Sequence, residues 1–154
     1  MRLYVPTDPR VEVSGQLIVD YINAISFGHD TRREIFENNG IFSPNSDSWH
    51  AWDKVLNAIR EIENGIGKKM LFLLSSSMIK NLSTPKPITS ISDSFQALED
   101  YLNDTHRGGN FGHFKVDELN ESEQFALLNV WSPYPDVKID GYITGALRKT
   151  GPVP

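Results

Sequence analysis

The sequence predicts an α+β fold, in which N-terminal helices pack on a small antiparallel sheet and a C-terminal helix follows. Apolar residues recur with helical spacing through the first two thirds of the chain. Two apolar runs then flank a polar turn near residue 120, and a last helical pattern follows a proline corner. Because strands do not alternate with the helices, the order favours helices on an antiparallel sheet over a parallel βαβ architecture.

Composition predicts one globular domain covering residues 1–154. The chain is 39% hydrophobic and 23% charged, which is ordinary for a protein that buries an apolar core. It has no cysteine, so disulfides, thiolate metal sites and thiol nucleophiles are excluded. The formal net charge of −5 disfavours nucleic acid as a partner. We expect a cytoplasmic protein without membrane insertion, because no signal peptide or long apolar run is found.

The first two helices are predicted from their apolar spacing and their caps. A helix follows Ser14 and ends near Gly28, a suitable C-terminal residue. Thr31 and Glu34 have the spacing of a capping box, which predicts a second, short helix that stops at Asn38-Asn39-Gly40. The apolar stripe of the first helix comprises Leu17, Ile18, Tyr21, Ile22 and Ile25.

A polar loop over residues 42–48 precedes the strongest amphipathic pattern in the chain. Ser48 is predicted to cap this third helix. Gly65 and Gly67 interrupt the pattern, and residues 69–79 then predict a buried helix, with a strand through Leu74 as the alternative. The predicted stripe of the third helix comprises Trp49, Trp52, Val55, Leu56, Ile59 and Ile62.

The last third of the chain predicts a helix, a hairpin and a closing helix. The helix covers about residues 92–103, and the hairpin pairs residues 114–119 with 125–131. Pro133 and Pro135 stiffen a corner, after which Asp140 is predicted to cap a helix that ends at Gly151.

A glycine-rich segment connects the helix to the hairpin. The chain must reverse between His106 and Phe114, so at least one of Gly108, Gly109 and Gly112 is predicted to have a positive φ. The segment is not a phosphate loop, since no Gly-Lys-Ser/Thr follows it.

No catalytic centre is expected from the motifs. His106 and His113, with Asp104 and Asp117 nearby, match no zinc-binding spacing. The serines at 75–77 lack the Gly-x-Ser-x-Gly pattern of a nucleophile elbow. We therefore expect no enzyme activity, no metal and no cofactor.

The aromatic residues allow two interpretations, an apolar ligand cavity or plain core packing. A cavity lined by Phe72, Met78 and Phe111 would favour ligand binding. The candidate ligand-binding residues are His106, Arg107, Phe111, His113, Phe72, Met78, Trp131 and Tyr134.

Most of the chain resembles bacterial sensor-type domains related to the 4-vinyl reductase domain, and the motifs lie in its C-terminal part. The resemblance is carried by His106-Arg107-Gly108-Gly109, Gly112-His113-Phe114, Ser132-Pro133-Tyr134-Pro135 and Asp140-Gly141-Tyr142-Ile143. That family shares a ligand-binding α+β fold with haem nitric-oxide-binding domains and TRAPP subunits. The Tyr-x-Ser-x-Arg haem signature is missing here, and Ser132 and Ile139 depart from the family's Asn and Phe.

The resemblance implies an intracellular sensory or regulatory module that binds a small apolar or aromatic ligand. The alternative is a protein-interaction module without a small-molecule ligand, which forms a homodimer through its N-terminal helices. A filled core and an exposed apolar helix face would favour this alternative.

Overall fold

The computed structural model describes residues 3–150 and has the predicted α+β class. This range contains five α-helices and five strands. None of these helices has the length and apolar character needed to cross a membrane. The helices are α1 (Gly15–Asn23), α2 (His29–Asn38), α3 (Trp52–Asn81), α4 (Ile91–Thr105) and α5 (Asp136–Leu147). The strands are β1 (Glu12–Ser14), β2 (Trp49–Ala51), β3 (His106–Arg107), β4 (His113–Asn120) and β5 (Phe125–Trp131).

The strands form two antiparallel sheets in the described part of the chain. The predicted hairpin is confirmed as β4 and β5, with a register shift between Val116 and Glu118. The other sheet has the order β2-β1-β3, and in it Val13 pairs with both His50 and His106. Strands of two or three residues show no alternation, so the sequence did not predict this sheet.

The connection between α1 and α2 is held by a buried arginine. Nε of Arg32 donates to the Ile22 carbonyl over 3.0 Å, and its Nη atoms donate to the carbonyls of Ile25 and Phe27 over 2.7 Å each. The helix α1 ends at Asn23, well before Gly28. The predicted Thr31 cap is wrong, because left-handed Gly28 (φ 69°) turns the chain directly into α2 at His29.

The third helix begins three residues later than predicted. Residues 49–51 pair with β1, so the predicted Ser48 cap is wrong; the Ser48 carbonyl instead accepts from the Gly15 amide over 2.7 Å. The buried helix predicted after Gly67 is confirmed, and it joins the preceding helix in α3 across a bend at Gly67 (φ 79°, ψ 164°).

The helices α4 and α5 begin at different kinds of residue. Ser90 and Asp93 form a reciprocal capping box at α4. The helix α5 begins at Asp136 after Pro135, and Asp140 lies one turn inside it, so the predicted Asp140 cap is wrong. The Pro135 carbonyl accepts from the Lys138 amide over 2.9 Å, which shows that the proline corner itself starts the helix. The predicted end at Gly151 lies outside the described residues.

The core is centred on the contact between α3 and α5. Two glycines on α5 permit this approach, because a side chain at Gly141 would meet Ser75, and one at Gly145 would meet Ile79. Trp52 is buried at the start of α3, as predicted, whereas Trp49 lies half-buried on β2. The first turn of α3 lies next to the proline corner and β3, because Nε1 of Trp52 donates to the Tyr134 hydroxyl and the Trp52 ring packs edge-on against His106.

Candidate functional site

Buried polar and aromatic side chains meet where the start of α3, β3 and the first turns of α5 converge. None of them is more than 4% exposed. The proline corner directs Tyr134 inward, and helical spacing places Lys138 and Tyr142 on one face of α5. We call this group the His106 cluster; its members are Trp52, His106, Tyr134, Lys138 and Tyr142.

A chain of hydrogen bonds runs through the His106 cluster. Nε1 of Trp52 donates to the Tyr134 hydroxyl over 3.1 Å, and that hydroxyl lies 2.9 Å from Nε2 of His106. Nδ1 of His106 lies 2.9 Å from the Leu102 carbonyl oxygen, which can only accept. Nδ1 therefore carries the proton of neutral His106, and Nε2 accepts from Tyr134.

Burial keeps the His106–Tyr134 pair uncharged near neutral pH. It lowers the pKa of His106 to about 4; the Leu102 hydrogen bond opposes this change and Lys138 adds to it. Burial also raises the pKa of the Tyr134 hydroxyl far above its ordinary value. With its hydrogen bonds satisfied, the pair presents a neutral surface.

Lys138 is the most unusual member of the His106 cluster. Its amine donates to the Tyr142 hydroxyl and lies 3.8 Å from the Tyr142 ring centre, 4.5 Å from that of Tyr134 and 5.2 Å from that of Tyr21. It forms no ion pair with any acid in residues 3–150. Burial therefore holds the pKa of Lys138 well below its ordinary value.

Sequence reasoning missed Lys138, although a signal was present. Lys138 precedes Gly141, Tyr142 and Gly145 by three, four and seven residues, which is the spacing of one helix face. Starting the helix at Asp140 left Lys138 outside it and removed this pattern.

A narrow apolar cleft lies beside the His106 cluster. It encloses about 20 Å³, room for roughly one water molecule. The Phe111 ring stacks on the His106 imidazole with the ring centres 4.8 Å apart and the planes 23° apart. Residues lining this His106 cleft include His106, Phe111, His113, Trp131, Tyr134 and Ile139.

Five of the eight candidate residues from the sequence line the cleft, and three do not. Arg107 is exposed; it pairs with Glu12 over 2.8 Å and lies over the Trp49 ring at 4.1 Å. The cavity lined by Phe72, Met78 and Phe111 that would have favoured ligand binding is not among the clefts described in residues 3–150. Instead Met78 lines a separate groove of about 430 Å³ beside α1. The Phe72 carbonyl lies against Gly141, where α3 meets α5.

Left-handed glycines lie on both sides of Phe111, which confirms the predicted turn. Gly108 has a φ of 87° and Gly112 a φ of 98°. A β-carbon at Gly112 would collide with the Trp131 carbonyl oxygen. The amide of Asn110 donates to Asp8 over 3.3 Å, so the segment over residues 108–112 is also tied to the N-terminal region.

The acidic and histidine side chains in residues 3–150 form no group of three or more suited to hold a metal ion. His106 uses both ring nitrogens within the cluster. Nε2 of His113 bonds to Asn129 over 2.8 Å, and the ring stacks on Trp131.

Fold and site define an α+β protein with a buried, neutral polar cluster behind an aromatic cleft. Comparison with protein-family models, with curated proteins and with solved structures found no match to this chain. The functional argument therefore depends on the geometry of the cleft and the cluster.

Proposed function

We propose that this chain is a sensory or regulatory module that binds a small aromatic or apolar ligand in the His106 cleft. The observation that carries the proposal is the stacking of Phe111 on the neutral His106 imidazole, on a segment with a left-handed glycine at each side. The cleft is too small for a second ring beside Phe111. A ligand ring would therefore take the place of the Phe111 ring.

The polar atoms of the cleft wall are already hydrogen-bonded within the protein, and this favours an apolar ligand. Both nitrogens of His106 and the hydroxyl of Tyr134 already have hydrogen-bond partners inside the protein. A polar ligand group placed against them would lose its bonds to water without full replacement. A flat ring loses little there and gains a stacking partner.

The segment that carries Phe111 offers a way to transmit binding. Displacement of Phe111 would move residues 108–112, which bond to Thr7 through Asn110 and to Asp8. These contacts are exposed and are inexpensive to break. The same function is implied by the resemblance to sensor-type domains.

Titration with toluene and indole, followed by backbone amide NMR, tests the proposal. We expect one molecule to bind and to shift the amides of Phe111, His113 and Trp131 first. Phe111→Ala should bind toluene on the order of tenfold more tightly, because the cleft is then open in the free protein. Phe42→Ala, which removes a ring that is 69% exposed, is the matched control and should leave the affinity unchanged. Failure of both the native protein and Phe111→Ala to bind either probe would refute the proposal.

A second candidate function is self-association as a protein-interaction module. The closed cleft and the exposed rings of Phe27 and Phe42 favour it, since large exposed apolar side chains are typical of interaction surfaces. Sedimentation across a range of protein concentrations tests it, and a mass that stays at 17.4 kDa at millimolar concentration would contradict it.

A further inference from the structure

We infer that two copies of this chain pair through the free edge of β5, which would give a four-stranded sheet of order β4-β5-β5-β4. The inference rests on the second candidate function, self-association, and it replaces the N-terminal helices with β5 as the interface. It is argued without ligand binding in the His106 cleft, although Val130, Tyr134 and Ile139 line both that cleft and the surface beside β5.

The strand β5 presents an unpaired edge. One edge pairs with β4, and no other strand in residues 3–150 pairs with β5. Its seven residues, Phe-Ala-Leu-Leu-Asn-Val-Trp, contain no charge and no proline. An edge of this kind exposes a row of amide and carbonyl groups that can pair with another strand.

The opposite edge of the same hairpin is protected. The strand β4 carries Lys115, Asp117 and Glu118, all exposed, and its register shifts between Val116 and Glu118. Charges and bulges are the features that keep strand edges from pairing. The β5 edge has neither charges nor a bulge, so of the two edges of this hairpin it is the one able to pair with another strand.

A groove next to β5 provides space for a partner strand. It has a volume of about 250 Å³ and lies between β5 and α5. Leu128 and Val130 line one side, and Ile139 and Ile143 line the other together with the exposed Asp136 and Asp140. A strand added along β5 would place alternate side chains over these isoleucines and cover apolar surface that now faces solvent.

The occupant that fits this edge is β5 of a second copy. In antiparallel pairing about a two-fold axis at Leu128, Phe125 meets the second copy's Trp131 and Ala126 meets the second copy's Val130. Aromatic residues would then face each other at both ends, and small or aliphatic residues along the inner face. The second copy's β5 brings no charge toward Asp136 and Asp140 of the groove, because β5 has none. Most homodimers have this two-fold symmetry.

The first test is a charge substitution that leaves the isolated chain intact. Leu127 and Asn129 are both exposed, and the two-fold axis places each opposite the other. The double variant Leu127→Lys/Asn129→Lys should weaken dimerisation on the order of 100-fold, because like charges then face each other twice. Glu118→Lys makes the same change in net charge on the protected edge and should dimerise like the native chain. Sedimentation measures the dissociation constants, and circular dichroism checks folding.

The second test uses the absence of cysteine. Leu128→Cys should form an intermolecular disulfide on mild oxidation, since residues on the axis of an antiparallel pair lie about 5 Å apart at their Cα atoms. Val116→Cys, which lies across from Leu128 on β4, should not cross-link.

The outcomes separate the inference from self-association itself. If the native chain is monomeric, both the β5 interface and the self-association function are wrong. If a dimer forms but persists in the double-lysine variant, or if Leu128→Cys does not cross-link, self-association stands and the β5 interface is wrong. The inference is supported if the double-lysine variant loses the dimer while Glu118→Lys keeps it, and if Leu128→Cys cross-links while Val116→Cys does not.

Discussion

The Tyr134 hydroxyl donates to Nε2 of His106 over 2.9 Å, and this bond joins the proline corner to strand β3 across 28 residues of chain. The same hydroxyl accepts from Trp52 at the start of α3. One buried oxygen thus links three separate parts of the fold. Removing Trp52, His106 or Tyr134 would leave a buried polar atom of a remaining side chain without its hydrogen-bond partner, which is costly.

Stability should fall between pH 6.5 and pH 4 because of His106. Its folded pKa of about 4 lies below the ordinary 6.5, so the unfolded chain binds more protons in this window and folding weakens as the pH falls. The loss should be roughly 3 kcal/mol and should level off below pH 4 for this group. Urea denaturation at a series of pH values measures it.

His106→Gln provides the comparison, since glutamine does not titrate. The variant will be less stable at pH 7, but its stability should depend less on pH between 6.5 and 4. His50, whose pKa burial also lowers, is present in both proteins, so the difference isolates His106. Parallel pH profiles would show that folding does not lower the pKa of His106.

Trp52 and Trp49 should differ sharply, although the sequence pattern placed them on one stripe. Trp52→Ala should cost about 3 to 5 kcal/mol of unfolding free energy, because the ring is fully buried. Trp49→Ala should cost about 1 kcal/mol, mainly from the lost contact with Arg107. Chemical denaturation of the two variants checks this, and equal costs would contradict the strand assignment of residues 49–51.

Three glycine variants separate backbone strain from steric collision. Gly112→Ala should lower the unfolding free energy by more than about 2 kcal/mol, because it combines a positive φ with a collision at Trp131. Gly67 also has a positive φ, but no described atom lies within 4 Å of its β-position; Gly67→Ala should cost about 1 kcal/mol. Gly65→Ala, in helical backbone with open surroundings, should stabilise by up to about 1 kcal/mol. Thermal denaturation would contradict this interpretation if Gly112→Ala were as mild as Gly67→Ala.

Lys138→Met should raise stability at pH 7 by about 1 to 3 kcal/mol. The methionine has a similar shape and removes an amine whose burial is not offset by an ion pair in the described residues. Because the folded pKa of Lys138 is lowered, the amine's cost declines as the pH rises toward 10.5, and the advantage of methionine should decline with it. Lys138→Ala is the control and should destabilise through the space it leaves. A destabilised Lys138→Met would show that the amine makes a necessary contact.

Much of the fold follows from local sequence patterns. A long apolar run predicted the buried helix after Gly67, and two apolar runs flanking a polar turn predicted the hairpin. The need to reverse direction predicted at least one positive φ among Gly108, Gly109 and Gly112, and two of them have it. These predictions succeeded because each depends on residues within one turn or one strand pair.

The site could be predicted only in part. Five of the eight candidate residues line the His106 cleft, since they lie close together in sequence around the glycine segment and the corner. Phe72 and Met78 do not, since the Phe72 carbonyl lies against Gly141 and Met78 lines a groove beside α1. From their positions in the sequence, the side chains of Phe72 and Met78 could face several different elements. Only the packing of the helices fixes which element each one faces.

The fold class, most helices, the hairpin and the reversal before β4 follow from the sequence alone, because short-range backbone preferences and apolar periodicity specify them. Three features follow instead from packing: residues 49–51 form a strand, His106 is neutral, and Lys138 is enclosed by three tyrosines. Each of these depends on residues distant in sequence. Strand pairing and burial are properties of the packed chain, and no local pattern encodes which distant partner removes water from a given side chain.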